Sequence, residues 1–165
     1  MADENDTRFL REALNLAIGC KGTDPENTPI GAVVVLDGKV IAKGVNRTQE
    51  CCDPTAHAEI VALRQAGQET GEMRVEGATL YSTLQPCGMC TMASIWAGVS
   101  RIVYGAGRDD VHEMYFEDRH LSTLDFVADA YKDDLTLEGG VLSDECAKLY
   151  FRPWDDVPEE KQGND

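Results

Sequence analysis

The stretch IGAVVVL, residues 30–36, is a continuous apolar run rich in β-branched side chains, and such a run predicts a buried strand. Asp37-Gly38 follows this run directly and predicts a tight turn. Residues 40–45 then predict the returning strand of a hairpin, and residues 46–55 form a polar loop. A β-hairpin that leads into a loop is therefore the starting point of the fold.

Helical and strand patterns alternate on both sides of this hairpin. Residues 8–20 predict a first helix, whose apolar stripe consists of Phe9, Leu10, Ala13, Leu14, Ala17 and Ile18. After the loop, we expect a helix from about Thr55, a strand over 78–83, a helix over 87–97 and a strand over 101–104. The order α-β-β-α-β-α-β predicts an α/β fold.

The last third of the chain carries weaker patterns. Residues 109–130 are mixed and acidic, residues 135–142 predict a last strand, and Ser143 is expected to cap a last helix. No repeat, long linker or low-complexity tract marks a second domain. We therefore expect one domain over residues 1–165, with flexible tails at about 1–7 and 156–165.

Composition and charge restrict the classes of partner. Among 165 residues, 42% are hydrophobic and 27% are charged, which is typical of a globular domain. Acidic residues outnumber basic ones 30 to 15, for a formal charge of −15. Because polynucleotide binding normally rests on clustered Lys and Arg, the charge predicts that the protein binds no nucleic acid.

The sequence predicts neither a membrane span nor a signal peptide. No apolar run approaches the roughly 20 residues of a membrane span, and the start Met1-Ala2-Asp3-Glu4 is acidic where a signal peptide is basic. We expect a cytoplasmic protein without membrane contact. The six cysteines should then be reduced, and clustered thiols in that setting indicate metal binding or catalysis.

Two short motifs carry the chemistry. His57-Ala58-Glu59 and PCGMC, residues 86–90, each fall at a predicted helix start, and both would face the same way if adjacent parallel strands feed those helices. A helix start favours the thiolate form of cysteine, and His57, Cys87 and Cys90 supply three zinc ligands. Three protein ligands leave one position for water, whose pKa then falls towards about 7, and Glu59 is placed to act as its base.

Each of these residues also has an ordinary explanation by itself. A histidine or glutamate suits the first turn of a helix, and Cys-x-x-Cys also occurs in structural zinc and redox sites. One alternative is a structural zinc module in which Cys51 or Cys52 is a fourth ligand. His112 and His120 are expected on the surface. The combination H-x-E with P-C-x-x-C, in this order, is the signature of zinc deaminases.

These motifs resemble the cytidine deaminase superfamily. The resemblance extends through residues 30–35, Asn46 and residues 53–59, and it covers the chain from about Arg8 to Tyr104. Within the superfamily, DPTAH at 53–57 and Ser94-Ile95-Trp96-Ala97 are most similar to the bacterial guanine deaminase branch.

The resemblance implies a three-layer α/β/α sandwich with a five-stranded mixed sheet, and a homodimer whose C-terminal segments are exchanged between subunits. It implies one Zn²⁺ per subunit, held by His57, Cys87 and Cys90. Glu59 would take a proton from water, pass it to a ring nitrogen and later protonate the departing ammonia.

The resemblance also implies a small-molecule substrate, a free nucleobase. Guanine attacked at C2 would give xanthine and ammonia. Asn46 would hold the base, Glu117 or Asp118 would accept hydrogen bonds from ring N–H groups, and Phe151 and Trp154 would stack on it. Trp96 would form the pocket wall or a dimer contact. The full set of expected substrate contacts is Asn46, Ala58, Trp96, Glu117, Asp118, Phe151 and Trp154.

Other bases remain as alternatives: cytosine, a triazine such as ammeline, or the nucleoside guanosine. Two positions depart from the pattern, since Ile30 replaces a phenylalanine usual in guanine deaminases and Gln85 replaces a glutamate common before the Pro-Cys pair. Editing of tRNA adenosine is the next alternative, and the negative charge argues against it.

Overall fold

In the computed structural model, which describes residues 3–21, 28–116, 122–130 and 133–158, five strands form one mixed sheet in the order β2-β1-β3-β4-β5. The strands are β1 (Gly31–Leu36), β2 (Lys39–Val45), β3 (Thr79–Leu84), β4 (Arg101–Ala106) and β5 (Thr136–Glu138). Strand β1 is antiparallel to both of its neighbours, whereas β3, β4 and β5 are parallel. The expected five-stranded mixed sheet is confirmed.

Six α-helices accompany the sheet within the described ranges: α1 (Glu4–Lys21), α2 (Thr48–Cys51), α3 (Ala58–Thr70), α4 (Gly88–Trp96), α5 (Thr123–Ala128) and α6 (Ser143–Ala147). A short 3-10 helix spans Glu113–Tyr115. None of the helices in this part of the chain is long and apolar enough to cross a membrane.

The two faces of the sheet bury separate apolar clusters. Side chains alternate between faces along a strand, so Val33 and Tyr81 join α1 and α6 on one face while Val34 and Leu80 join α3 on the other. The strands are therefore covered on both sides, which explains why residues 30–36 read as an unbroken apolar run. The layers are helix, sheet and helix, as expected.

Glycines allow the two principal helices to approach the sheet closely. A Cβ atom at Gly31 would lie 2.2 Å from the backbone oxygen of Ala13 in α1. A Cβ atom at Gly44 would lie 2.1 Å from the backbone oxygen of Ala58 in α3. Each helix backbone thus rests directly on a strand, and the position of α3 depends on the missing side chain at Gly44.

The ends of the chain differ from the sequence expectation. Helix α1 begins at Glu4 and not near residue 8, because Asp3 and Asp6 cap it reciprocally: the Asp6 amide donates to Asp3 Oδ1 (2.8 Å) and the Asp3 amide donates to Asp6 Oδ2 (3.0 Å). Residues 4–7, which were expected in a flexible tail, are therefore helical. Val157 is buried, so the chain also packs beyond residue 156.

Three local predictions also need correction. Ile18 is 54% exposed and lies off the buried stripe of α1. The last strand covers Thr136–Glu138 and pairs with β4, so it is shorter than the expected 135–142. Ser143 is the first residue of α6 and not its cap, since Leu142 occupies that position with a left-handed φ of 55° and no side-chain cap.

The strand directions bring the two motif helices together. Strands β2 and β3 are each antiparallel to β1, which lies between them, so β2 and β3 run in the same direction without being neighbours. Helix α3 follows β2 and helix α4 follows β3. Both helices therefore begin at the same edge of the sheet. The sequence expectation of adjacent parallel strands was wrong in detail, although its consequence holds.

Candidate zinc site

The N-terminus of α3 carries a nitrogen donor, and the N-terminus of α4 carries a sulphur donor. His57 is the N-cap residue of α3 and Cys87 is the N-cap residue of α4, and both have extended backbones. Neither side chain caps its own helix, and both belong to one cluster of possible metal ligands. Cys90, one turn further along α4, is fully buried and points to the same place.

The three side chains are close enough to hold one metal ion. His57 Nδ1 lies 3.8 Å from Cys87 Sγ and 3.6 Å from Cys90 Sγ. A tetrahedral zinc with Zn–S of about 2.3 Å and Zn–N of about 2.0–2.1 Å holds such a pair of ligands roughly 3.6 Å apart. The donor set and its spacing thus fit zinc.

Protonation of the two thiols is unequal. The pKa of Cys87 is lowered to about 4, chiefly because Cys90 hydrogen-bonds to its sulphur, and also because His57 does. The same contact with Cys87, together with burial, raises the pKa of Cys90. The site therefore favours the thiolate form of Cys87, and zinc coordination deprotonates a thiol outright.

Glu59 lies beside this cluster, in the first turn of α3. Its side chain is only 3% exposed. Its Oε2 is 3.6 Å from Cys90 Sγ, while its Oε1 accepts a hydrogen bond of 3.0 Å from Ser82 Oγ. Burial, followed by the negative charge of Cys87, raises the pKa of Glu59. A carboxyl group with a raised pKa next to a metal site is suited to proton transfer.

Asn46 and Ala58 are also near the edge of the sheet where α3 begins. Asn46 follows the last residue of β2 and is 3% exposed. Its backbone N–H donates to the backbone oxygen of Ile30. Its side-chain Nδ2 donates to Thr48 Oγ1 at 3.5 Å. Ala58, the first residue of α3, is fully buried.

Other expected contacts lie elsewhere. Trp96 is 69% exposed at the opposite end of α4 from Cys87. Trp154 is 78% exposed. The Phe151 backbone accepts from the His112 amide (2.8 Å) and its amide donates to Tyr115 Oη (3.1 Å). Contacts of these residues with substrate, the homodimer and the exchanged C-terminus stay predictions.

Glu117, Asp118 and His120 lie outside the described residues. His112 accepts a hydrogen bond from the Met114 amide and caps the 3-10 helix, so its ring has a local role.

A fourth thiolate ligand is not found in the described part of the chain. Among the described residues, the side chains close enough together to hold a metal ion are those of His57, Cys87 and Cys90, whose ligand atoms lie within 4.8 Å of one another. Cys51 and Cys52 are exposed. The alternative of a closed structural zinc module is therefore wrong.

One polar residue near the site, Ser82, was not singled out by sequence reasoning, and another, Gln85, was noted only as a departure from the family pattern. Ser82 is fully buried in β3 and contacts Glu59. Gln85 donates to Thr123 Oγ1 (2.9 Å), which ties the loop before the PCGMC motif to the start of α5. The available signal for Ser82 was its hydroxyl group within a buried strand. Such a residue indicates that a hydrogen-bond partner exists, but it does not identify that partner as Glu59.

Comparison with known proteins supports the same site. Residues 3–106 match the family described as the cytidine and deoxycytidylate deaminase zinc-binding region. A tRNA-specific adenosine deaminase of Agrobacterium fabrum is 53% identical over 100 residues, which cover 61% of this chain and 64% of that protein. Another, from Buchnera aphidicola, is 35% identical over 149 residues, or 90% of this chain and 93% of that protein.

Further relatives include a guanine deaminase. That protein, from Bacillus subtilis, is 39% identical over 115 residues, covering 69% of this chain and 72% of its own. Among solved structures, one from work on A-to-I editing by tRNA A34 deaminases at the wobble position has a TM-score of 0.71 and 36% identity. It covers 87% of this chain and 99% of its own.

The comparisons correct two expectations. Relatives that are up to 53% identical are tRNA-specific adenosine deaminases. The prediction of a free nucleobase substrate, whether guanine or one of its alternatives, was therefore wrong. The prediction that the protein has no nucleic-acid partner was wrong for the same reason. The physical error was to treat the net charge of the chain as if it were the charge around the pocket. The three metal-binding side chains, the buried glutamate and the family match agree with one another: the chain belongs to the cytidine and deoxycytidylate deaminase zinc-binding family and is a zinc-dependent deaminase.

Proposed function

We propose that this protein deaminates adenosine in transfer RNA, at the wobble position of the anticodon, to give inosine and ammonia. The observation that carries the proposal is the buried carboxylate of Glu59, 3.6 Å from Cys90 in a site with three zinc ligands. The substrate follows from the relatives, among which tRNA-specific adenosine deaminases reach 53% identity. Such an enzyme would work in the cytoplasm.

His57, Cys87 and Cys90 would hold the metal. When bound there, zinc would leave a fourth position for water and lower the pKa of that water towards about 7. The three side chains come from two helix starts on one rigid sheet, so the ligand geometry is preorganised by the fold.

Glu59 would move the protons of the reaction. It would accept a proton from the attacking water and deliver it to the ring nitrogen next to C6. It would then take the remaining proton from the new C6 hydroxyl and pass it to the amine that leaves as ammonia. The C6–N bond breaks and a C6–O bond forms. The raised pKa of Glu59 suits a group that must both accept and return a proton.

Other residues would hold the target nucleotide. The Asn46 side chain and the amide of Ala58, one of the first-turn N–H groups that lack an intrahelical acceptor, would bind the base. Phe151 and the exposed Trp154 would offer faces on which unpaired loop bases stack, as is common in the recognition of single-stranded RNA.

The test is ammonia release and inosine formation from an adenosine-containing anticodon stem-loop, with free guanine, cytosine and guanosine assayed in parallel. Glu59→Gln should lower kcat by about 10²–10⁴-fold. Its zinc content should stay at one per chain. Glu69→Gln is the matched control, since Glu69 lies exposed on the same helix, and it should retain full activity. Turnover of free guanine with none on the RNA would contradict the proposal.

A further inference from the structure

Strand β3 carries a hydroxyl side chain on the face that otherwise packs against α3. Ser82 is two residues from Leu80, which belongs to the apolar cluster on that face. Ser82 is fully buried, and its Oγ donates to Glu59 Oε1 at 3.0 Å. A buried hydroxyl is costly unless it is hydrogen-bonded, so this donation to the carboxylate is a specific feature of the site.

We propose that Ser82 is a positioning residue for the reaction: it fixes the rotation of the Glu59 carboxylate so that the second oxygen faces the zinc site. This inference rests on the proposed function of Glu59.

The two oxygens of Glu59 have different neighbours. Oε1 is held by Ser82, and Oε2 lies 3.6 Å from Cys90 Sγ, on the side of the metal ligands. The terminal torsion of a glutamate side chain is broad and does not by itself fix the carboxylate plane. A single hydrogen bond to one oxygen therefore selects the orientation in which the other is presented to the water that must lose its proton.

The anchor for this hydrogen bond is rigid. The backbone of Ser82 pairs with Ala32 of β1 on one side and with Tyr104 of β4 on the other, so Ser82 lies within the central strand of the sheet. Glu59, in contrast, is in the first turn of a helix. Ser82 thus transfers the rigidity of the sheet to the catalytic carboxylate, which is what a precise proton transfer requires.

The test compares Ser82→Thr with Ser82→Val. The Thr and Val side chains have nearly the same shape, and they differ in that Val carries a methyl group where Thr carries the hydroxyl. The Val variant is expected to lower kcat by about 10–100-fold relative to the Thr variant, since small misplacements of catalytic groups have effects of this size. KM should agree within about two-fold, because Ser82 is fully buried and its hydroxyl is directed at Glu59. Zinc content should be the same in both, and calorimetry should show that both are fully folded at the assay temperature, although the Val variant should have a somewhat lower Tm because a buried hydrogen bond is lost.

Ser82→Ala gives a second, independent measurement, because it removes the hydroxyl without adding volume. It should lower kcat in wild type but cause little further loss in the Glu59→Gln background, as expected for two groups that act as one unit. Equal kcat values for the Thr and Val variants, or losses from Ser82→Ala and Glu59→Gln that multiply independently, would overturn the proposal.

The outcome is separable from that for the proposed function. If wild type acts on a free base and not on RNA, the tRNA proposal fails and the Ser82 comparison is made on that base. If wild type edits RNA and the Thr and Val variants are equal, only the role of Ser82 fails.

Discussion

At the scale of single residues, one buried carboxylate joins the first helix to the sheet. Asp6 is 2% exposed. Its carboxylate accepts hydrogen bonds from both Nη atoms of Arg101, at 2.6 and 2.8 Å, and from the hydroxyl of Tyr81, at 2.8 Å. Arg101 also pairs with Glu138 of β5. The hydrogen bonds from Arg101 are the main reason that the pKa of Asp6 is lowered to about 2. This cluster connects α1 with β3, β4 and β5.

Replacing Asp6 by Asn should reduce the free energy of unfolding at pH 7 by about 2 kcal/mol, which is the size implied by the lowered pKa. Because the pKa of folded Asp6 lies below its ordinary value, this stabilisation is complete above about pH 4 and is lost as the pH falls towards 2. Denaturant titrations of wild type and variant between pH 7 and pH 2 should therefore converge at the acidic end.

The control for this prediction is Asp109→Asn, at an exposed position, which should change stability by less than about 0.5 kcal/mol. A difference between wild type and Asp6→Asn that stays constant down to pH 2 would contradict the assigned pairing with Arg101.

At the scale of elements, the site depends on how closely α3 lies against β2. Helix α3 begins with His57 as its cap and carries Glu59 in its first turn. At Gly44, a Cβ atom would lie 2.1 Å from the oxygen of Ala58 and 2.6 Å from the nitrogen of Ala62. Both are backbone atoms, so a side chain there can be accommodated only if the whole helix moves.

Gly44→Ala should therefore destabilise the protein by about 1–3 kcal/mol, the usual effect of overpacking, and should also weaken zinc binding. The displacement acts on the turn that holds His57, so the zinc content after dialysis against a weak chelator should fall. Gly19→Ala in α1 is the matched control, because nothing lies within 4 Å of a Cβ atom there.

In a helix, Gly-to-Ala replacement at such an open position raises stability by about 0.5–1 kcal/mol. Calorimetry and metal analysis of both variants check the pair. Full zinc retention and an unchanged Tm in Gly44→Ala would show that α3 is not held in the way described.

At the scale of the whole molecule, the charge of −15 acts on stability and not on the class of partner. With a net charge this large, the acidic side chains repel one another in the folded state and destabilise it. The charge felt by a bound RNA, however, is that within a Debye length of the pocket, about 8 Å at physiological salt, and a sum over 165 residues says little about it. For this reason, the sequence argument against a nucleic-acid partner was wrong.

Salt should consequently stabilise the protein. Between 0.1 and 1 M KCl, the Debye length falls from about 10 Å to about 3 Å. Tm should therefore rise by roughly 2–4 °C for each kcal/mol of repulsion that the salt removes. The triple variant Glu69→Lys, Glu72→Lys and Asp109→Lys reverses three exposed acids and takes the charge from −15 to −9. Its Tm should respond less to salt, and an equal response in both proteins would contradict this reading of the charge.

Local patterns in the sequence were sufficient for the order of the principal elements and for the zinc ligands. The apolar run at 30–36 requires a strand covered on both faces, and the spacing within His57-Ala58-Glu59 and PCGMC is set by the first turn of a helix, which spans only a few residues. Chemistry of this kind depends on neighbours along the chain.

Tertiary structure alone decided which distant residues meet. Ser82 contacts Glu59 across 23 positions and Arg101 contacts Asp6 across 95, and the sequence carries no periodic signal for such pairs. The strand order was likewise decided by the tertiary structure. Because β1 lies between β2 and β3, those two strands run in the same direction and place the two motifs at one edge of the sheet. The reason is physical: turn and helix geometry are determined by adjacent residues, whereas contacts across the sheet depend on packing that the whole chain determines together.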